Sequence, residues 1–252
     1  MKRFITIILT LAMVLGLAAC SNKQSTATEE PDEEQETVGT DATEEELTSL
    51  DGGWELVRGD AAALPEDVQA AFDKATAEFT GSDLKPVAYV AYQVVSGRNY
   101  MVLCEATTVT QDPVTSYQML VIYADLNGNA TLTTLKDFDL TAYTQDDGQE
   151  AIDGDIVGGW EIPEDHTVAV LPEDAQAAFD KAKEGFTGND LVPMALLGTQ
   201  VVAGRNYAFL CAGTTVTAEP VTRLQVVVVY EDLEGNAEIT SICTVNPADF
   251  NE

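Results

Sequence analysis

Few residues of this 252-residue chain are equipped for covalent chemistry. His166 is its one histidine. A Ser-His-Asp or Cys-His centre needs an imidazole to take the proton of the nucleophile, and a zinc site commonly draws on several. His166 stands in a segment without counterpart in the duplicated part of the chain, so it reads as a solvated loop residue. The cysteines are Cys20, Cys104, Cys211 and Cys243, with no CxxC pair among them. Cys104 and Cys211 lie in apolar stretches and read as small buried hydrophobes. A Cys211–Cys243 bridge stays open at this stage. Forty-three Asp and Glu offer many oxygen ligands, yet no Asp-x-Asp-x-Asp-Gly calcium loop occurs. Asp146-Asp147-Gly148 and Asp153-Gly154-Asp155 are too short for one. The expectation is a protein that is not an enzyme, with no metal and no cofactor.

The repeated residues point to recognition instead. QVVSGRNY at Gln93–Tyr100 returns as QVVAGRNY at Gln200–Tyr207, 107 positions later. Two valines, a small residue and a glycine suit a tight turn between strands, because glycine reaches positive φ without steric cost. LPEDVQAAFDKA at Leu64–Ala75 matches LPEDAQAAFDKA at Leu171–Ala182, and ADLNGNA at Ala124–Ala130 matches EDLEGNA at Glu231–Ala237. Gly52-Gly53-Trp54 matches Gly158-Gly159-Trp160. The interval exceeds the period of solenoids and propellers, so each copy is expected to be a small domain.

Each copy predicts one helix followed by strands. Pro65 suits the first turn of a helix, and Glu66 and Asp67 suit its dipole. Val68, Ala71, Phe72, Ala75 and Phe79 then mark one apolar face, closed by Gly81. The second copy repeats this with Ala175, Ala178, Phe179, Ala182 and Phe186, closed by Gly188. Four strands are expected over 87–95, 99–109, 117–123 and 130–135, and again over 194–202, 206–216, 224–230 and 237–245. A short strand precedes each helix. The predicted fold class is α+β, with two tandem domains, each one helix packed on a mostly five-stranded antiparallel sheet.

The order of elements and the residues at the turns resemble the cystatin family of cysteine-protease inhibitors. Gln93-Val94-Val95-Ser96-Gly97 and Gln200-Val201-Val202-Ala203-Gly204 match the family's QxVxG hairpin. Gly52, Gly53, Gly158 and Gly159 match its N-terminal trunk. The resemblance implies an inhibitory wedge of trunk, first hairpin and second hairpin that fills the cleft of a papain-like cysteine protease. One departure is clear. The second hairpin, which often carries Pro-Trp in the family, here offers only Leu126 and Leu233 among acidic and amide residues. A protein-binding or adhesion module that uses such a fold without inhibiting a protease is the alternative reading.

The N-terminus carries a separate signal. Lys2 and Arg3 precede an apolar stretch too short to span a bilayer, which ends in Leu17-Ala18-Ala19-Cys20. This resembles the lipobox of bacterial lipoproteins, in which the cysteine is diacylated after cleavage. It implies export and a membrane anchor through lipid on Cys20, facing the cell surface or the periplasm. Residues 21–50 are acidic and poor in large apolar side chains, the composition of a disordered tether. The expected organisation is therefore 1–20 signal, 21–50 tether, 51–140 first domain, 141–156 linker and 157–252 second domain. A net charge of −31 argues against nucleic acid as a partner.

Overall fold

The computed structural model describes residues 53–57, 64–144, 159–163 and 171–251. The first copy runs β1 (Glu55–Leu56), α1 (Glu66–Thr76), β2 (Ser82–Val95), β3 (Gly97–Thr108), β4 (Thr115–Ala124), β5 (Ala130–Asp137) and a single turn, α2 (Thr141–Thr144). The second runs α3 (Glu173–Lys183), β6 (Asn189–Val202), β7 (Gly204–Thr215), β8 (Thr222–Glu231) and β9 (Ala237–Val245), ending in a 3-10 turn at Pro247–Phe250. Both sheets are antiparallel meanders, in the orders β1-β2-β3-β4-β5 and β6-β7-β8-β9.

The helices keep the expected starts and end early. Pro65 and Pro172 occupy the N-cap positions, with Glu66, Asp67, Glu173 and Asp174 in the first turns. The periodic face extends to Phe79 and Phe186, but α1 stops at Thr76 and α3 at Lys183. Gly185 and Gly188 have φ of 81° and 98° and lead the chain of the second copy into β6. The strands are longer than expected, because β2 and β6 begin upstream of Pro86 and Pro193. Register shifts flank these prolines and recur near Tyr89 and Leu196. Proline cannot donate to a ladder, so it sits where β2 and β6 have no partner strand on one side.

The expected fold class does not hold. The described residues are mostly antiparallel sheet with few helices, and their main packing is sheet against sheet. One continuous core takes Trp54, Leu56, Met101, Leu103, Met119 and Val121 from the first copy and Leu197, Leu210, Val226, Val245 and Phe250 from the second. The second sheet also has four strands rather than five, because the segment before α3 contributes one bridge, Glu161 to Thr199.

The reason lies in the side chains of the central strands. Met119 and Val121 face the shared core, whereas Leu120 and Ile122 face the opposite side. A sheet apolar on both faces must be covered twice. On the far side, Val68, Ala71 and Phe72 of α1 meet Tyr89, Val102 and Leu120, while Ala175, Ala178 and Phe179 of α3 meet Tyr207, Phe209 and Val227. An 11-residue helix covers little, and the inner faces cover one another.

Polar contacts seal the junction. Tyr117 donates its hydroxyl to the carbonyl of Leu197 at 2.8 Å, and Lys136 donates to the carbonyl of Asp249 at 2.8 Å. Phe138 stacks on both Tyr143 and Phe250. The 3-10 turn packs on β4 and β5, and α2 packs on β8 and β9, so each copy lends its C-terminal turn to the other sheet. No helix among the described residues is long and apolar enough to cross a membrane.

Candidate functional site

At one end of each sheet the chain gathers the segments that the repeats single out. In the first copy, Val95 pairs with Gly97 across Ser96, closing the β2–β3 hairpin. Gly97 has φ of 153°, and a Cβ there would lie 2.3 Å from the carbonyl oxygen of Ala124. Glycine is thus required by the approach of β4 as well as by the turn. Gly204 repeats this, with φ of 147° and a Cβ position 2.2 Å from the Glu231 carbonyl oxygen. The close approach brings the second hairpin beside the first. Tyr123 donates its hydroxyl to the Ser96 carbonyl at 3.1 Å, and Tyr230 does so to Ala203 at 2.9 Å.

Gln93 and Gln200 play a bracing part. Asn99 donates its side-chain amide to the Gln93 Oε1 at 2.7 Å, and Asn206 does the same to Gln200 at 2.7 Å. Each pair lies directly opposite across its hairpin. Gly53, with φ of 75°, lies beside Gln93, since a Cβ on it would sit 3.8 Å from Gln93 Nε2. β1 pairs Glu55 with Tyr92, which aims the chain before it at the hairpin tip. In the second copy Gly159 is exposed and Glu161 bridges to Thr199. Gly52, Gly158, Cys20 and His166 lie outside the described residues.

The second hairpins are self-held loops. Asp125 Oδ1 accepts the backbone N–H of Asn127 at 2.8 Å and of Asn129 at 2.9 Å, and Oδ2 accepts the Asn129 side-chain amide at 2.8 Å. Asp232 holds Glu234 and Asn236 in the same way. These hydrogen bonds, chiefly those from Asn129 and Asn236, hold both carboxyls below the usual carboxylate range. Lys74 of α1 donates to the Gly128 carbonyl at 2.7 Å, and Lys181 of α3 donates to that of Gly235. Burial, followed by a 2.6 Å hydrogen bond to Glu55, pushes the Tyr92 hydroxyl up to about 12.

What the arrangement displays is apolar. Val94 is 64% exposed and Val201 62%, with Val95 and Val202 beside them. Leu126 and Leu233 are each 88% exposed at the neighbouring hairpins. Ser96 and Ala203 form the turns between. Each sheet therefore ends in a small apolar tip on a braced backbone, built from that copy's residues alone.

Trp54 does not belong to the tip. Its ring is fully buried between the sheets and its Nε1 donates to Asn251 Oδ1 at 2.8 Å. Trp160 packs against the same core. Cys104 and Cys211 are buried on the helix-facing sides, where burial pushes both thiols up, far from nucleophilic character. Cys243 pairs across β8 and β9 with Val226, whose side chain faces the shared core, whereas Cys211 faces α3. The two sulfurs lie on opposite faces of the sheet and are not bridged. Among the described residues no group of His, Cys, Asp and Glu is arranged to hold a metal.

Of the bracing residues, Asn99 belongs to the repeated hairpin motif, whereas Tyr123, Lys74 and Asp125 were not singled out by sequence reasoning. Their signal was present, because all four recur at the 107-residue interval as Asn206, Tyr230, Lys181 and Asp232. Comparison with protein-family models finds no match, and comparison with curated proteins finds none.

Proposed function

We propose that this chain inhibits papain-like cysteine proteases by seating its hairpin tips in the active-site cleft. The observation that carries the reading is the convergence of three segments in the first copy: Gly53, Gln93–Gly97 and Leu126. They come from separate parts of the sequence and end side by side with their valines and leucine in solvent. Such a surface can fill a cleft above a cysteine nucleophile without offering a scissile bond to it. Its backbone is already ordered by the Gln-Asn, Tyr-carbonyl and Lys-carbonyl hydrogen bonds, so binding carries a low ordering cost. The wedge consists of Gly53, Gln93, Val94, Val95, Ser96, Gly97 and Leu126 in one copy. In the other it is Gly159, Gln200, Val201, Val202, Ala203, Gly204 and Leu233, with Gly52 and Gly158 extending the trunks. Lipid on Cys20 would anchor the inhibitor to a membrane, facing the cell surface or the periplasm.

The full chain titrated against papain tests this. Residual peptidase activity is expected to fall with rising inhibitor, and full activity at micromolar inhibitor overturns the reading. A second reading, a protein-binding module that blocks no protease, is favoured by the absence of an aromatic residue in the turn of either second hairpin, 125–129 and 232–236. Large aromatic anchors carry much of the energy of many interfaces. Capture of papain without loss of its activity would support that reading.

A further inference from the structure

The two tips share their braces but not their charge. At the second hairpin the first copy places Ala124 and Asn127 where the second places Glu231 and Glu234. Glu231 ends β8, immediately before the loop, and accepts the Tyr207 hydroxyl at 3.2 Å. Glu234 is an exposed loop residue beside Leu233. Glu238, paired with Tyr230 in the strand after the loop, likewise stands where the first copy has Thr131, whereas Lys74 matches Lys181, Asp125 matches Asp232, Arg98 matches Arg205 and Glu55 matches Glu161. Arg205 does not offset the additional acids from a free position, because it is paired with Asp174 at 3.1 Å. The second tip thus carries three more carboxylates around its apolar contact, Glu231, Glu234 and Glu238.

Resting on the inhibitory reading, we infer that the tips are two separate sites tuned by charge. The second selects a protease whose cleft wall, where it meets the second hairpin, carries lysine or arginine. The first, nearly neutral there, does not discriminate. Charge at the rim of an interface acts chiefly on the association rate and on the choice of partner. It acts over about 8–10 Å at moderate salt, a range that confines the effect to groups around that loop.

Two variants isolate the tips without changing net charge: Val201→Asn with Val202→Asn leaves the first tip, and Val94→Asn with Val95→Asn leaves the second. Each full-length variant is measured for its association rate with papain and with papain acetylated on its lysines. Acetylation is expected to slow the second-tip chain about 3–10-fold more than the first-tip chain. Adding Glu231→Ala, Glu234→Asn and Glu238→Thr to the second-tip chain should abolish that excess. Equal slowing at both tips, or an excess that survives the three substitutions, overturns the inference while leaving inhibition standing. Absence of binding by either chain overturns the inhibitory reading and this inference with it.

Discussion

Single residues divide cleanly into those that build the tips and those that the tips display to solvent. Gln93 and Gln200 belong with the builders, since their side chains are engaged by Asn99 and Asn206. Leu126 and Leu233 belong with the displayed residues. Leu126→Ala with Leu233→Ala is therefore expected to weaken papain inhibition and to leave stability within about 0.5 kcal/mol, as surface changes usually do. Trp54→Ala should behave in the opposite way, costing about 3–5 kcal/mol of stability through the cavity it opens. Denaturant unfolding beside inhibition assays separates the two. The loop aspartates add a pH dependence. Their folded-state values are lowered, so the ionised clamp contributes at all pH above the ordinary aspartate value and is lost as pH falls through the lowered one. An NMR titration of the Asn129 and Asn236 side-chain amides should show a midpoint below about 3.9. A midpoint at or above that value would contradict the clamp.

Among the elements, the sequence was legible where local chemistry decides. Gly97 and Gly204, Pro65 and Pro172, and the Asp-Leu-x-Gly-Asn turns marked hairpins and helix starts that the structure keeps. The helix ends were less legible, because Phe79 and Phe186 continue the apolar period although the chain has left the helix. The covering of the sheets was misread for a definable reason. Val87–Ala91 and Leu103–Cys104 are buried without alternation, as are Val226–Val229, whereas β9 alternates between half-buried and exposed until its last residue, the buried Val245. Unbroken apolar runs mean burial on both faces. Unbroken runs of this kind in both copies are the mark of one sheet packed on the other. Gly198 tests the junction at this scale. It replaces Ala91 of the first copy, and a Cβ there would lie 3.1 Å from Leu140 Cδ2 and 3.2 Å from Trp160 Cε3. Gly198→Val is expected to cost about 1–3 kcal/mol by overpacking. A thermal midpoint unchanged from the parent would contradict the close packing of Leu140 and Trp160 on β6.

For the whole molecule, the shared core changes what duplication means. Two beads on a string would unfold separately. Here Trp54, Leu103, Leu210 and Val226 belong to one apolar cluster, so loss of either sheet exposes the inner face of the other. Calorimetry should show one cooperative transition, and Trp54→Phe and Trp160→Phe chains followed by fluorescence should report the same midpoint. Two resolved transitions would contradict the common core. The shared core leaves both tips free, since Val94 and Val201 are exposed to nearly the same degree. Rigid support from the sheets and an open apolar end are the two requirements of a wedge. The most direct test of that role is amide hydrogen exchange of the full chain with and without papain. The account predicts slowed exchange at residues 93–97 and 125–129 and at their counterparts 200–204 and 232–236, with the helices α1 and α3 unchanged. Slowing confined to the helices, or no slowing at either pair of hairpins, would contradict it.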